Sequence, residues 1–207
     1  MRRLGAGLGL AWLAAMGCHR SSMPPGGYTT AAEDPRRDTE AARALNAEGV
    51  GRIEAGDLAK AERLFKEALT ADVFHGTAHN NLGLVYYRQR RLYLAAWEFQ
   101  YAVKLMPNRC EPRNNLGLVF EAVRQMDEAE KWYDEALALE PDNMETIGNL
   151  ARALVRANRK DSKTRRILNE VVLKDTRPEW VAWAEERLVM LGGPVGTPGE
   201  EGDAAEK

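Results

Sequence analysis

The central part of the chain carries one pattern of large and small residues written twice, in residues 76–109 and again in residues 110–143. The positions are Leu82, Gly83, Tyr86, Ala95, Phe99, Ala102 and Pro107 in the first copy and Leu116, Gly117, Phe120, Ala129, Tyr133, Ala136 and Pro141 in the second, each one 34-residue step after its counterpart. Small residues let two helix backbones approach, large residues fill the space beside them, and the proline ends the second helix. A period of this length predicts an array of stacked helix pairs.

Both copies resemble the tetratricopeptide repeat family, whose 34-residue motif reads Trp-x2-Leu-Gly-x2-Tyr, then Ala-x3-Phe, then Pro. Every place of the motif is kept except the tryptophan, where His79 and Arg113 stand. The resemblance implies a right-handed solenoid of helix pairs. It also implies that the first helix of each repeat lines a concave face, on which members of the family bind peptides or proteins.

Two weaker copies of the pattern flank the central pair, in residues 42–75 and 144–177. The positions that they keep are Gly49, Ala61, Phe65 and Ala68 in the former and Ile147, Leu150, Ala151 and Leu154 in the latter. The second helix of the last copy departs from the pattern. A one-residue insertion there would place Thr164 and Leu168 on the packing face. The terminal repeats are therefore predicted to be the most diverged.

Residues 178–191 predict one further amphipathic helix after the last repeat. Its apolar positions at helical spacing are Trp180, Trp183, Ala184, Leu188 and Leu191. Repeat arrays need such a helix to cover the last hydrophobic face. The predicted fold for residues 39–191 is therefore an all-α, TPR-like right-handed solenoid of three to four helix-turn-helix repeats with a C-terminal capping helix.

Residues 1–17 read as an export signal. Arg2 and Arg3 precede an uncharged apolar run, residues 4–17, that is too short to span a bilayer comfortably. The small residues before Cys18 resemble the bacterial lipoprotein box, which implies that Cys18 carries a lipid. The alternative is an ordinary secretory signal that is cut nearby, with Cys18 incidental.

The remaining segments predict flexible connections. Residues 18–38 are rich in Ser, Pro, Gly and Thr without apolar periodicity, which indicates a linker behind the lipid anchor. Residues 192–207 are rich in Gly, Pro and Glu, which indicates a disordered acidic tail. We therefore expect an exported, lipid-anchored protein of the bacterial cell envelope, facing the periplasm if the cell is Gram-negative.

Composition narrows the classes of partner. The chain has 207 residues, a formal net charge of −2 and 44% hydrophobic residues. Its charges are interspersed and form no basic stripe, so nucleic acid is not an expected partner. The two cysteines, Cys18 and Cys110, stand in unrelated contexts, so a structural disulfide is not expected.

No set of catalytic residues stands out. The histidines are His19, His75 and His79, and no third ligand lies at metal-like spacing from the last two. There is no glycine-rich phosphate loop and no Gly-x-Ser-x-Gly elbow. The expectation is a protein that is not an enzyme and uses neither a cofactor nor a metal.

The candidate binding site is a ladder of asparagines. Two series run at 34-residue steps: Asn46, Asn80 and Asn114, and Asn81, Asn115 and Asn149. Each amide offers a donor and an acceptor and can pair with the backbone of an extended peptide. The residues that flank the predicted peptide site are Leu84, Tyr87, Leu118 and Arg152, with Glu121 and Arg156 beside them. The alternative is that the amides only tie neighbouring helices together.

These expectations converge on a scaffold or assembly factor, tethered to the cell envelope, that binds an extended peptide or a partner protein in a concave groove. One alternative is a structural protein that associates with itself, for which Trp180 and Trp183 are the candidate contacts. A less favoured alternative is a non-catalytic subunit of an enzyme complex. The oligomeric state is left open.

Overall fold

The computed structural model describes residues 37–192, and this part of the chain consists of nine α-helices without a strand. The helices are α1 (Thr39–Glu54), α2 (Leu58–Ala71), α3 (Gly76–Arg88), α4 (Leu92–Leu105), α5 (Glu111–Ala122), α6 (Met126–Leu139), α7 (Met144–Arg156), α8 (Ser162–Lys174) and α9 (Pro178–Met190). The predicted signal peptide, Cys18, almost all of the linker and almost all of the acidic tail lie outside the described residues.

The helices form two layers. Each odd-numbered helix from α1 to α7 packs against the helix that follows it, and each even-numbered helix also packs against the next odd one. The first helices α1, α3, α5 and α7 contact one another in succession and form one layer, whose surface we call the first-helix face. The prediction of an all-α solenoid is confirmed, with four helix pairs and α9 packed on α8.

In each of the first three pairs, a glycine of the first helix packs against an aromatic ring of the second helix. A Cβ on Gly49 would lie 2.5 Å from Cε1 of Phe65, and a Cβ on Gly83 would lie 2.7 Å from Cδ1 of Phe99. Gly117 stands against the ring of Tyr133 in the same way. The glycines are needed for this approach of the two backbones, because any side chain would overlap the ring.

The buried residues continue this packing through the array. One cluster, with Phe65, Phe99 and Leu116, joins the first three pairs. A second cluster, with Tyr133 and Leu168, joins α6 to α9. Leu168 is fully buried together with Thr164, as expected from the one-residue insertion in the last repeat.

The turn inside each pair repeats a left-handed backbone conformation. Gly56, Arg90, Arg124 and Asn158 have φ values of 77°, 63°, 62° and 56°, and they follow one another at 34-residue steps. After each of them, the next N–H donates to a carbonyl five positions earlier, as from Arg91 to Tyr86 at 2.8 Å. This bond closes a Schellman turn. The repeated turn geometry keeps all four helix pairs alike, although only Gly56 adopts it without steric cost.

Among residues 37–192, the structure contains no helix with both the length and the apolar character that crossing a bilayer requires.

We predict that Gly117→Ala destabilises the protein, because the new methyl group overlaps Tyr133. Overpacking of this kind costs about 1–3 kcal/mol, measurable as the free energy of unfolding in urea. Gly51→Ala is the matched control, since Gly51 lies in α1 with no atom near the position of its Cβ. There, alanine should be neutral or stabilising by up to about 1 kcal/mol. Equal effects at both positions would contradict the packing described.

Candidate functional site

The predicted asparagine ladder exists as pairs that bridge neighbouring first helices. Nδ2 of the later residue donates to Oδ1 of the earlier one, 35 positions before it. The pairs are Asn81 with Asn46 at 3.0 Å, Asn115 with Asn80 at 2.9 Å, and Asn149 with Asn114 at 3.0 Å. The alternative interpretation as ties between helices matches these bonds. Contact with a ligand stays a prediction.

The pairs differ in their access to solvent. Asn114 and Asn149 are only 4% and 6% exposed, so the third pair acts within the protein. The four asparagines of the first two pairs are half-buried. An amide has two donor hydrogens and two acceptor lone pairs, so one bond between two amides leaves both with further capacity. The first two pairs are thus the part of the ladder that a ligand can reach.

The predicted flanking residues lie one or two helical turns beyond the asparagines of the ladder. Leu84, Tyr87 and Leu118 are half-buried and pack against the cores beneath them. They give the first-helix face an apolar surface between α3 and α5. At the next 34-residue step a charged residue, Arg152, replaces leucine. The surface therefore changes character towards its C-terminal end.

Arg152 belongs to a network around the buried carboxylate of Glu121. Nε and Nη2 of Arg152 donate to both oxygens of Glu121 at 2.9 and 3.0 Å. Nη1 of Arg156 donates to the same carboxylate at 2.6 Å, and the hydroxyl of Tyr133 donates to it at 3.0 Å. Glu121 is 4% exposed. One carboxylate thus joins α5, α6 and α7, and it occupies one edge of the Arg152 guanidinium.

Two of the donors in this network, Arg152 and Tyr133, have raised pKa values. The hydrogen bonds to Glu121 raise the pKa of Arg152 above its usual value. Burial, with the charge of Glu121 close by, raises the pKa of Tyr133. Arg152 therefore stays a cation and Tyr133 stays a neutral donor near neutral pH.

Both asparagine series end after the third pair, because neither has an asparagine at the next step. One 34-residue step after Asn114 stands Gly148, and one such step after Asn149 stands Trp183. The ring of Trp180 occupies the space over Gly148, and a Cβ there would lie 3.1 Å from Cζ3 of the ring. Sequence reasoning missed this feature. The loss of asparagine from both series at the same step was the signal that could have found it.

A cavity of about 500 Å³ lies beside these tryptophans, between α7 and α9. Its walls include Arg152, Val155 and Arg156 from α7 and Trp180, Trp183 and Arg187 from α9. The two indole rings meet edge to face at 5.7 Å between centroids. The guanidinium of Arg177 stacks 4.9 Å from the ring of Trp180. The cavity therefore combines aromatic walls with basic residues at one end of the first-helix face, and we call it the α7–α9 cavity.

The histidine of α3 has a structural environment. Nδ1 of His79 lies 2.6 Å from Oε2 of Glu98, and Nε2 lies 2.9 Å from the carbonyl oxygen of Val73. The ring also stacks on Tyr101 at 5.2 Å between centroids. Both ring nitrogens are engaged within the protein, so His79 joins α3 to α4 and to the turn before it.

Cys110 lies with Glu111 and Glu140 in a group of three potential metal ligands. Burial, together with a hydrogen bond to Glu140, raises the pKa of the Cys110 thiol to about 12. Arg109 forms an ion pair with Glu111. One of the two carboxylates is therefore already engaged within the protein, at the N-terminus of α5.

Comparisons with known proteins find the same repeat in the sequence and the same fold in solved structures. Two family profiles described as tetratricopeptide repeat match residues 46–109 and 114–145. The chain thus carries tetratricopeptide repeats over these residues, and the described part of the chain has the fold of a TPR-like solenoid. No curated protein matches the chain significantly.

Several solved structures share the fold. The first TPR domain of Spaghetti (RPAP3) bound to the HSP90 peptide SRMEEVD has a TM-score of 0.57 and 22% identity, over 60% of this chain and 98% of that one. Pseudomonas aeruginosa pilF has a TM-score of 0.63 and 20% identity, over 74% and 72%. YrrB, described as a TPR protein with an unusual peptide-binding site, has a TM-score of 0.60 and 21% identity, over 72% and 76%.

We predict that Glu121→Gln lowers stability, because Arg152, Arg156 and Tyr133 lose the charge that they share. Leaving such donors without a full partner costs about 1–3 kcal/mol in the free energy of unfolding. Asp142→Asn is the control, since Asp142 pairs with Lys174 on the open surface at 2.8 Å, where water screens the charges. A Glu121→Gln variant as stable as this control would show that the network contributes nothing.

Proposed function

We propose that this protein is a non-catalytic interaction scaffold whose first-helix face binds an extended segment of a partner protein. The observation that carries the proposal is the row of half-buried amides and apolar side chains that recurs at one offset on α3 and α5. Packed helices lie about 8–10 Å apart, and an extended chain rises about 3.3 Å per residue. Each step along the face therefore matches about three residues of an extended peptide.

The row supplies both kinds of contact that such a segment needs. The amides of Asn80 and Asn81 can bond the backbone of the segment, and Leu84, Tyr87 and Leu118 offer apolar contact to its side chains. Peptide binding by Spaghetti (RPAP3) and YrrB, which share the fold, supports this class of function. Their identity to this chain is too low to transfer a ligand.

We further propose that the scaffold is tethered to a bacterial cell envelope by a lipid on Cys18. The support is the sequence pattern of residues 1–18, a charged start, a short apolar run and small residues before the cysteine. The linker that follows would hold the repeats away from the membrane surface. Lipid attachment and a partner-binding face together suit an assembly factor.

The binding face is tested by site-specific photocrosslinking in cells. Benzoylphenylalanine placed at Leu118 should form adducts with a partner protein, because Leu118 lies within the proposed row. The matched control is the same group at Tyr93, which lies on α4, outside the first-helix face, and is 80% exposed. Adducts of equal yield at Tyr93, or at Tyr93 alone, would contradict the proposal.

The tether is tested by Cys18→Ser. We expect the wild-type protein in the membrane fraction with a mass increase that corresponds to a diacylglycerol-modified cysteine, and the variant outside that fraction. Cys110→Ser is the control, because its thiol is buried and should not affect fractionation. An unmodified mass for the mature wild-type protein would contradict the lipid assignment.

A further inference from the structure

We propose that the α7–α9 cavity binds an acidic segment of the partner that carries a large apolar side chain. This inference rests on the proposed function, since it assigns a chemical preference to the C-terminal end of the same face. The walls of the cavity, its charge and its extent each support the assignment.

The aromatic walls are preorganised. Trp180 is held over Gly148 on one side, and Trp183 meets it edge to face. Arg177, which stacks on the same ring, is itself fixed by an ion pair with Asp175 at 2.6 Å. Both tryptophans are only half-buried, so part of their ring surface is open to the cavity. Rigid aromatic walls of this kind accept an apolar side chain at little entropic cost.

Guanidinium groups outnumber carboxylates among the residues that line the cavity. Arg152 and Arg156 share the single carboxylate of Glu121, so this pair of arginines carries uncompensated charge. The side chain of Arg156 is 57% exposed and can turn a second edge of its guanidinium towards a ligand. Glu179 is the only acidic residue among the lining residues. A carboxylate on the ligand would therefore meet more guanidinium groups than carboxylates.

Arg187 is the arginine on the α9 wall of the cavity. Its Nε is buried and has no hydrogen-bond partner among the described residues. Nη2 lies 3.5 Å from Oε2 of Glu186, a side chain that is 57% exposed, so this ion pair is loose. Nη1 donates to Sδ of Met190 at 3.3 Å. Because Glu186 holds Nη2 only loosely, a carboxylate that enters the cavity can bond the guanidinium at this atom.

The proposed site is larger than a pocket for a single side chain of the ligand. A second cavity of about 320 Å³ shares Val155 and Arg187 with the first and is also lined by Arg159 and Lys160. The two cavities together run along α9 and add basic residues in the same direction. Arg159 is held by Asp127, Glu130 and Asp161, whereas Lys160 is exposed and adds a basic group to the site. Length and charge together favour an acidic peptide over a small apolar molecule.

The test uses the full chain in detergent and a fluorescent, amidated peptide of sequence Glu-Glu-Asp-Phe-Glu-Asp-Glu. Amidation removes the terminal carboxylate, so only side-chain charges are probed. We expect binding by fluorescence anisotropy that weakens as salt is added. Replacing the acidic residues of the peptide by Gln and Asn, or its Phe by Ala, should abolish binding. Equal binding of the neutral peptide would overturn the proposal.

The protein variants locate the contact. Arg156→Glu and Trp183→Ala should each weaken binding of the acidic peptide by about tenfold or more, as expected for a lost charged hydrogen bond or aromatic contact. Arg166→Glu is the matched control, because Arg166 is exposed on α8 and does not line the cavity. Wild-type affinity in both cavity variants, with unchanged helical circular dichroism, would overturn the assignment.

Two further outcomes would assign the cavity to another occupant and overturn the proposal. Peptide binding that occurs only after deletion of residues 193–207 would identify the acidic tail of the chain as the occupant. A change of oligomeric state in Trp183→Ala, seen by light scattering without loss of peptide affinity, would identify a second copy. Crosslinks at Leu118 without any preference for acidic peptides would remove this inference and leave the proposed function intact.

Discussion

The register between successive repeats depends on hydrogen bonds between asparagines that lie 35 positions apart. Hydrophobic burial supplies most of the stability of such an array, but it has no direction and tolerates small shifts between layers. The bond from Asn115 to Asn80 has a fixed length and direction, and the same bond recurs between each pair of neighbouring first helices. It holds the first helices in step, and the side chains beside it are therefore spaced regularly along the face.

The end of this series accounts for the special character of the C-terminal repeat. Where the next asparagine pair would stand, Gly148 leaves room for the ring of Trp180. One turn further along, the leucine series ends in Arg152, which Glu121 holds in place. The first-helix face is thus amide and apolar near α3 and basic and aromatic near α9. A partner bound as proposed would meet two different chemistries in a defined order.

Much of the architecture could be predicted from the sequence because a strict period constrains many residues together. The 34-residue step from Gly83 to Gly117 predicts their contacts with Phe99 and Tyr133, and the structure shows both. The asparagine series could also be found in this way. The bonds between amides on neighbouring first helices could not be predicted, since they depend on the direction of each side chain and on which neighbour it meets.

The features that the sequence did not reveal depend on side chains from distant segments. Glu121 was expected to flank an open groove, but it is buried because Arg152, Arg156 and Tyr133 all donate to it. Trp180 was expected to cap the core or to contact a second copy, and its ring also lies over Gly148 and forms one wall of a cavity. Neither position follows from helical periodicity, which gives the face of a residue but not its partner.

The central claim, that asparagine pairs couple neighbouring repeats, is tested most directly by a double-mutant cycle on Asn80 and Asn115. The free energy of unfolding is measured for Asn80→Ala, Asn115→Ala and the double variant. We predict that the second substitution costs less once the first is present, with a coupling energy of about 0.5–1.5 kcal/mol. Strictly additive effects would contradict the claim, because they would show that the two amides do not stabilise one another.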